Sequence, residues 1–210
     1  MANLLYVTCF LKPIHRSRCH SLGYEFLEEY LRWNPRDEVH VLDLHRDNIP
    51  RIDQDVLHAW ERITAGESCG VLSEDERRKI SRIWRLADQF IACDKYVFVT
   101  PSWNLFFPAE FKMYIDAVTV PEKSYRLTQE RAEGLLAGEL KKSLHIHASA
   151  PFSYGNERDL SAPYLRSVLN FLGVTNQEAV LLSGCDDPQQ GPSSEHGDAR
   201  RRLLDLALRF

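Results

Sequence analysis

Short apolar segments alternate with longer amphipathic segments along the chain. Five short segments combine β-branched and other apolar residues in the manner typical of strands, and they cover residues 4–8, 38–44, 95–100, 143–149 and 178–183. The segment at 95–100, KYVFVT, is the most strand-like and is apolar through its centre, as expected for a parallel strand buried on both faces. The pattern predicts five strands, with the third at the centre of a sheet.

The segments between these strands have helical periodicity. The first begins at Ser17, repeats Leu22, Phe26 and Tyr30 four residues apart, and ends at Pro35. Further helices are predicted over 53–65, from a capping box that begins at Ser73, from about Pro108, over 163–172 and at the end of the chain.

Strands that alternate with helices predict an α/β fold, because a crossover between parallel strands needs a helix-sized connection. We expect a flavodoxin-like three-layer fold, in which a five-stranded parallel sheet of order 2-1-3-4-5 has helices on both faces. The chain shows neither a repeat nor a linker, so we expect a single domain over residues 1–210.

This architecture also predicts where a ligand binds. Ligands of open α/β sheets lie beyond the carboxyl ends of the strands, where the strand order reverses. The loops at that point are 9–19, 101–107 and 148–155. The second loop reads PSWNLFF and carries Trp103 and two phenylalanines, which indicates that a flat and partly apolar ligand lies against it.

The first loop leads into a helix with residues that suit an anion. The N-terminus of a helix presents backbone N–H groups and a partial positive charge. The Ser17 hydroxyl and the N–H groups of Arg18 and Cys19 are therefore candidate phosphate ligands. The alternative, in which Ser17 only caps the helix, is equally compatible with these residues.

Composition and charge exclude several classes of function. The chain has 210 residues, of which 44% are hydrophobic and 27% charged, as in ordinary globular proteins. Its formal net charge is -4 and it has no basic block, which argues against nucleic-acid binding. No apolar segment is long enough to span a membrane or resembles a signal peptide. The five cysteines include no CxxC pair, which favours the reducing cytoplasm over a disulfide framework.

Two further motifs suggest chemistry and have simpler explanations. His145 and His147 share one face of a strand, but no Cys, Asp or Glu in the adjacent sequence completes a metal site. We therefore expect a packed or hydrogen-bonded pair. Cys9 lies at the nucleophile position of a CX5R phosphatase loop, but His15 occupies the position that needs arginine. Phosphatase chemistry is disfavoured.

Several segments resemble one known family. PSWNLFFPAEFKMYIDAV resembles the P-M-W-N-[FL]-x-x-P-x-x-[LV]-K-x-Y-I-D signature of the FMN-dependent NADH:quinone oxidoreductases, also called azoreductases. The resemblance extends in the family's order to NLLYVT, RSRCHSLGYEF, EGLLAGELKK and PYLRSVLNFLGV, from near residue 4 to near residue 175.

The resemblance implies a homodimeric, cytoplasmic, flavodoxin-like enzyme that holds FMN. In this family hydride passes from NADH or NADPH to flavin N5, and a quinone or azo compound then takes two electrons in a ping-pong cycle. The redox chemistry belongs to the cofactor, so no catalytic side chain and no metal is assigned. The resemblance assigns FMN contacts to Cys9, Ser17, Arg18, Cys19, Pro101, Ser102, Trp103, Asn104, Leu105, Ala148, Ser149 and Ala150, and the substrate cleft to Phe106, Phe107 and Phe152.

The chain departs from the family after the fourth strand. Relatives read S-R-G-G there, whereas this chain reads Ala148, Ser149, Ala150 and Pro151. Proline removes a backbone donor, and alanine lacks the conformational freedom of glycine. This departure leaves open a flavodoxin-like binding or sensor protein with a weakened or lost FMN site. A further alternative, an acyl-carrier-protein phosphodiesterase-type hydrolase, requires a metal cluster or an activated nucleophile, and the sequence pattern indicates neither.

Overall fold

A computed structural model of the chain describes residues 1–138, 141–149, 159–183 and 194–210. Seven strands are present in these ranges. They are β1 (Asn3–Thr8), β2 (Glu38–Asp43), β3 (Lys95–Pro101), β4 (Tyr125–Leu127), β5 (Ala132–Gly134), β6 (Lys142–Ser149) and β7 (Asn176–Ser183). Five of them form one parallel sheet in the order β2-β1-β3-β6-β7.

The predicted strand order needs one correction in its numbering. The short strands β4 and β5, which the sequence analysis did not predict, pair as a separate antiparallel hairpin between β3 and β6. The fourth and fifth strands of the main sheet are therefore β6 and β7. Strands of three residues are too short to show the alternation by which strands are recognised.

Helices connect the strands. They are α1 (Arg18–Trp33), α2 (Gln54–Thr64), α3 (Glu74–Ala92), α4 (Ala109–Val118), α5 (Ser161–Leu172) and α6 (Ser194–Arg209). Side-chain caps fix the start of the first three helices, because Ser17, Asp53 and Ser73 each accept a backbone N–H from the first turn. The capping box predicted at Ser73 is present. Of the helices in the described ranges, none is long and apolar enough to cross a bilayer.

Two apolar clusters cover the two faces of the sheet. One joins buried residues of α1 and α6 to the sheet, and the other joins buried residues of α2 to α5. Within β3, Val97 and Val99 belong to the first cluster, whereas Tyr96 and Phe98 belong to the second. Successive strand residues point to opposite faces, so a strand in contact with both clusters must be apolar at consecutive positions. This explains the apolar segment that identified β3.

The close approach of α1 to the sheet depends on Gly23. A Cβ atom at this position would lie 2.7 Å from the Tyr6 hydroxyl oxygen and 2.8 Å from both γ-carbons of Val99. Interiors are close-packed, so such a contact forces α1 away from β1 and β3. The close packing of α1 on β1 and β3 at Gly23 brings the start of α1 close to the edge of the sheet.

We predict that Gly23→Ala lowers the free energy of unfolding by about 1–3 kcal/mol, because overpacking outweighs the better helix propensity of alanine. Urea unfolding would measure the change. The matched control is Gly197→Ala in α6, where a new Cβ meets nothing within 4 Å and stability should be unchanged or higher. A Gly23→Ala protein as stable as the wild type would contradict the packing argument.

Candidate active site

Described residues of the three loops that were predicted to form a site meet at the carboxyl edge of the sheet. The Ser102 N–H donates to the Ala148 carbonyl oxygen at 2.7 Å, which joins the segment after β3 to the end of β6. The Cys19 thiol, in the first turn of α1, lies 3.9 Å from the Thr100 carbonyl oxygen and 3.8 Å from that of Ile146. The start of α1 and the ends of β3 and β6 therefore adjoin.

A tight turn presents the loop after β3 to the surface. Trp103 and Phe106 exchange two backbone hydrogen bonds, at 2.6 and 2.9 Å. The two residues between them have positive φ, 50° at Asn104 and 68° at Leu105, as a type I′ turn requires. This conformation costs of order 1 kcal/mol or more for a residue such as leucine, and such strain clusters at functional sites. The turn holds Trp103 and Leu105 outward, 42% and 46% exposed.

The two phenylalanines assigned to a substrate cleft differ in position. Phe106 is half-buried and packs edge-on against Tyr164, with the ring centroids 5.1 Å apart. Phe107 is only 5% exposed and packs against Phe111 at 4.3 Å and beside His147 at 5.8 Å. Its side chain packs in the core behind the turn, and its assignment to the substrate cleft stays a prediction.

The start of α1 has the polarity that an anion needs. Ser17 is buried and accepts the His20 N–H at 3.4 Å, so its predicted capping role is present. The first turn carries no carboxylate, and Arg16 ends the 3-10 turn that precedes it. The Cys19 thiol is fully buried and faces the sheet. A ligand at this helix end would therefore meet the backbone of Cys19 and not its sulfur.

The end of β6 contains a buried hydroxyl. Ser149 is 5% exposed, and its Oγ has no hydrogen-bond partner among the described residues. A buried polar atom without a partner costs about 1–3 kcal/mol, so a polar ligand at this edge would relieve that cost. This observation fits a ligand with donors or acceptors along its rim. Ala150 and Phe152, which were also assigned to the site, lie outside the described residues.

A buried hydrogen-bond network lies behind these loops. The hydroxyl of Thr100 is 2.9 Å from His145 Nε2 and 2.9 Å from His147 Nδ1. His147 Nε2 is in turn 3.2 Å from Asp159 Oδ2. The expectation of a hydrogen-bonded histidine pair is confirmed. The sequence analysis missed Thr100 and Asp159, because only the pairing of β3 with β6 and the start of α5 bring them to the histidines.

Two groups of this network, His145 and Asp159, have shifted pKa values. Burial, followed by the nearby His147, holds the pKa of His145 well below its usual value, so this imidazole is neutral. Burial alone would raise the pKa of Asp159. The hydrogen bonds from His147 and the Ser161 N–H outweigh that effect and lower the pKa of this carboxyl.

A second polar cluster lies next to the turn, and the sequence analysis also missed it. Cys9 follows β1 and its Sγ is 3.6 Å from His45 Nε2. His45 Nδ1 is 3.9 Å from Glu110 Oε1, and its ring centroid is 6.2 Å from that of Trp103. Burial, together with the charges of Glu110 and Asp43, raises the pKa of the Cys9 thiol to about 12. The cluster residues come from three distant segments, so no local motif marks them.

The chain is similar to several known proteins. A family described by its flavodoxin-like fold matches residues 2–204. A protein of Geotalea uraniireducens (strain Rf4) named FMN-dependent NADH:quinone oxidoreductase is 51% identical over 210 residues, with 100% of each chain covered. A Trichlorobacter lovleyi protein of the same name is 54% identical over 186 residues, 89% of each chain. The crystal structure of an azoreductase from Bacillus anthracis str. Sterne matches with a TM-score of 0.89 at 25% identity, covering 100% of both chains.

We predict that the free energy of unfolding falls as the pH is lowered from 7 to 5. The folded-state pKa of His145 lies below its value in the unfolded chain, about 6.5. The unfolded chain therefore takes up this proton first, and the folded state loses up to about 1.4 kcal/mol per pH unit for this one proton. Denaturant titrations at several pH values would measure the slope.

The contribution of His145 is isolated by two variants. His145→Gln should make the slope shallower between pH 7 and 5, because the glutamine side chain does not titrate. His58→Gln, at an exposed position, should leave it unchanged. Equal slopes in wild type and His145→Gln would contradict the assignment.

Proposed function

Because the chain belongs to the flavodoxin-like family of FMN-dependent NADH:quinone oxidoreductases, we propose that it binds FMN at the carboxyl edge of its sheet. There it reduces quinones or azo compounds with electrons from NADH or NADPH. The observation that carries the proposal is the strained turn at 103–106 beside the start of α1 and the end of β6. This arrangement offers an apolar surface for a flat ring and a polar helix end for an anionic tail.

The residues at this edge fit FMN. The phosphate would lie at the start of α1, held by Ser17, Arg18 and the backbone of Cys19. The isoalloxazine ring would lie along Trp103 and Leu105, the two side chains that the turn holds outward. The segments that border the ring include Pro101 and Ser102 on one side and Ala148 and Ser149 on the other, with Asn104 at the tip of the turn.

Hydrogen-bond donors and acceptors remain for the rim of the ring. The turn's own hydrogen bonds use the N–H groups of Trp103 and Phe106, so those of Asn104 and Leu105 stay outside that pairing. The Ser149 hydroxyl is unpaired within the described residues, and it compensates for the donor that Pro151 removes. Donors placed there would stabilise negative charge on the reduced ring. The departure from the family's glycines is thus compatible with a retained cofactor.

When bound, FMN would supply the redox chemistry, accepting hydride at N5 and passing two electrons to the acceptor in a ping-pong cycle. The chain's own residues bind and orient the cofactor and keep water from the buried side of the edge. None of this requires a protein acid or base.

We also propose that the protein is a single-domain cytoplasmic homodimer. Leu105 and Leu160 are joined by a backbone hydrogen bond at 3.1 Å, and with Trp103 they form an exposed apolar rim around the site. A second copy would bury this rim. The free thiols of the described cysteines suit a reducing compartment.

The test is the colour of the purified protein and its response to NADH. We expect a yellow protein, or one that becomes yellow with added FMN, that NADH bleaches without oxygen and a quinone restores. A colourless protein that does not take up FMN would contradict the proposal and support a sensor or binding protein. Release of a phosphopantetheine arm from acyl carrier protein would support the hydrolase.

We predict that Ser17→Ala weakens FMN binding roughly tenfold or more, because a hydrogen bond to a charged group contributes about 1.5–3 kcal/mol. Riboflavin, which lacks the phosphate, should bind the variant as it binds the wild type. Flavin fluorescence titrations would give both dissociation constants.

The control for this variant is Ser73→Ala, which removes the equivalent cap from α3, far from the helix end in question. Because α3 and α1 pack on opposite faces of the sheet, Ser73→Ala should lower stability by about 1 kcal/mol and leave both flavin affinities unchanged. Equal losses of FMN and riboflavin affinity in Ser17→Ala would place the phosphate elsewhere.

A further inference from the structure

Three metal-ligating side chains converge beside the turn. Cys9 follows β1, His45 lies in the segment after β2, and Glu110 lies in the first turn of α4. One ligand atom from each lies within 4.8 Å of the other two. The backbone fixes this arrangement, because the Leu44 N–H donates to the Thr8 carbonyl oxygen at 2.9 Å, beside Cys9.

We propose that Cys9, His45 and Glu110 form a binding site for a divalent transition-metal ion, with Zn²⁺ as the ion that the donor set favours. Thiolate, imidazole and carboxylate are the protein ligands of zinc. Three protein ligands leave one of four tetrahedral positions for water, which is the arrangement of zinc sites that remain open to a ligand.

Cys9 Sγ and His45 Nε2 are already separated by the distance expected for two ligands of one zinc ion. With a Zn–S distance of about 2.3 Å and a Zn–N distance of about 2.0–2.1 Å, a tetrahedral angle separates the two atoms by about 3.6 Å. Cys9 Sγ and His45 Nε2 are 3.6 Å apart. Two of the ligands therefore need little movement to hold the ion.

Glu110 completes the site by a side-chain rotation. Its carboxylate faces His45 Nδ1 at 3.9 Å, and its side chain is 38% exposed. A partly exposed glutamate with three rotatable bonds can turn its carboxylate toward an ion held by the sulfur and the other ring nitrogen. The His45 N–H donates to Asp43 Oδ1 at 3.1 Å, which holds the segment in place while the carboxylate moves.

A cation also balances the charges of the cluster. A thiolate at Cys9, which is fully buried, and the carboxylate of Glu110, which is 38% exposed, would together carry two negative charges. A divalent ion offsets both charges, as buried ionised groups require.

Cys9, His45 and Glu110 also follow the order of nucleophile, base and orienting acid in a catalytic triad. The burial of Cys9 argues against that alternative. Its side chain is fully buried, so a substrate carbon does not reach the sulfur. A metal ion is far smaller than such a substrate, and it displaces the thiol proton when it binds.

The test uses the full-length protein, freed of metal by a chelator and dialysed, and titrated with Co²⁺ and with Zn²⁺. We expect one ion per chain, with a tetrahedral cobalt spectrum and a sulfur-to-cobalt charge-transfer band. Zn²⁺ should displace the cobalt and raise the unfolding temperature. Trp103 fluorescence should also change, because the His45 ring lies 6.2 Å from the indole.

Variants test two of the three ligands, Cys9 and Glu110. Cys9→Ala should abolish the charge-transfer band and weaken Zn²⁺ binding at least tenfold. Glu110→Gln should weaken it at least tenfold and keep the band. Cys69→Ser, which removes an exposed cysteine, should leave both unchanged. Glu110 is at the surface, so its variant tests the site even if Cys9→Ala fails to fold.

Three results would overturn the proposal. They are the lack of saturable binding, an octahedral cobalt spectrum without a sulfur band, and loss of the band in Cys69→Ser. Each readout is independent of flavin and of oxidoreductase activity, so failure of this site and failure of the proposed function are distinguishable.

Discussion

The parallel pairing of β1, β3 and β6 determines where every candidate functional residue lies. In that register Thr8 is opposite Val99, Thr100 is opposite His147, and Pro101 is opposite Ala148. The three strands therefore end side by side, and the segments that follow them must share one edge. A shift of one residue would turn each strand's side chains to the other face. It would separate Thr100 from its histidines and expose apolar residues that the two clusters bury, so the core and the site stabilise the same register.

At the carboxyl edge of the sheet, several residues have energetically unfavourable conformations or surroundings. Leu105 has a left-handed backbone conformation, Trp103 is held outward, and the Ser149 hydroxyl is buried without a partner within the described residues. Each feature costs free energy in the isolated chain, and the packed sheet offsets that cost. A flat ligand with a polar rim would cover the exposed Trp103 indole and give the Ser149 hydroxyl a hydrogen-bond partner. It would therefore relieve both of these costs.

Sequence periodicity was sufficient for the fold because it is local. The elements of the main sheet and the six helices follow from spacing within each segment, and the apolar centre of β3 follows from its two buried faces. The β4–β5 hairpin was missed because three residues carry no period. The burial of Phe107 could not be predicted because only the packing of α4 and α5 decides which way a loop aromatic turns. The partners of His45 and Asp159 depend on contacts between distant segments, which no local pattern records.

Two cysteines at this edge lie toward opposite faces of the sheet. The Cys9 thiol packs with the cluster of α2 to α5, whereas Cys19 packs with that of α1 and α6. The resemblance assigned both cysteines to FMN, yet only Cys19 belongs to the helix whose N-terminus suits a phosphate. The Cys9 sulfur instead faces His45 and Glu110. A metal ion held there would therefore leave the start of α1 free for an anion.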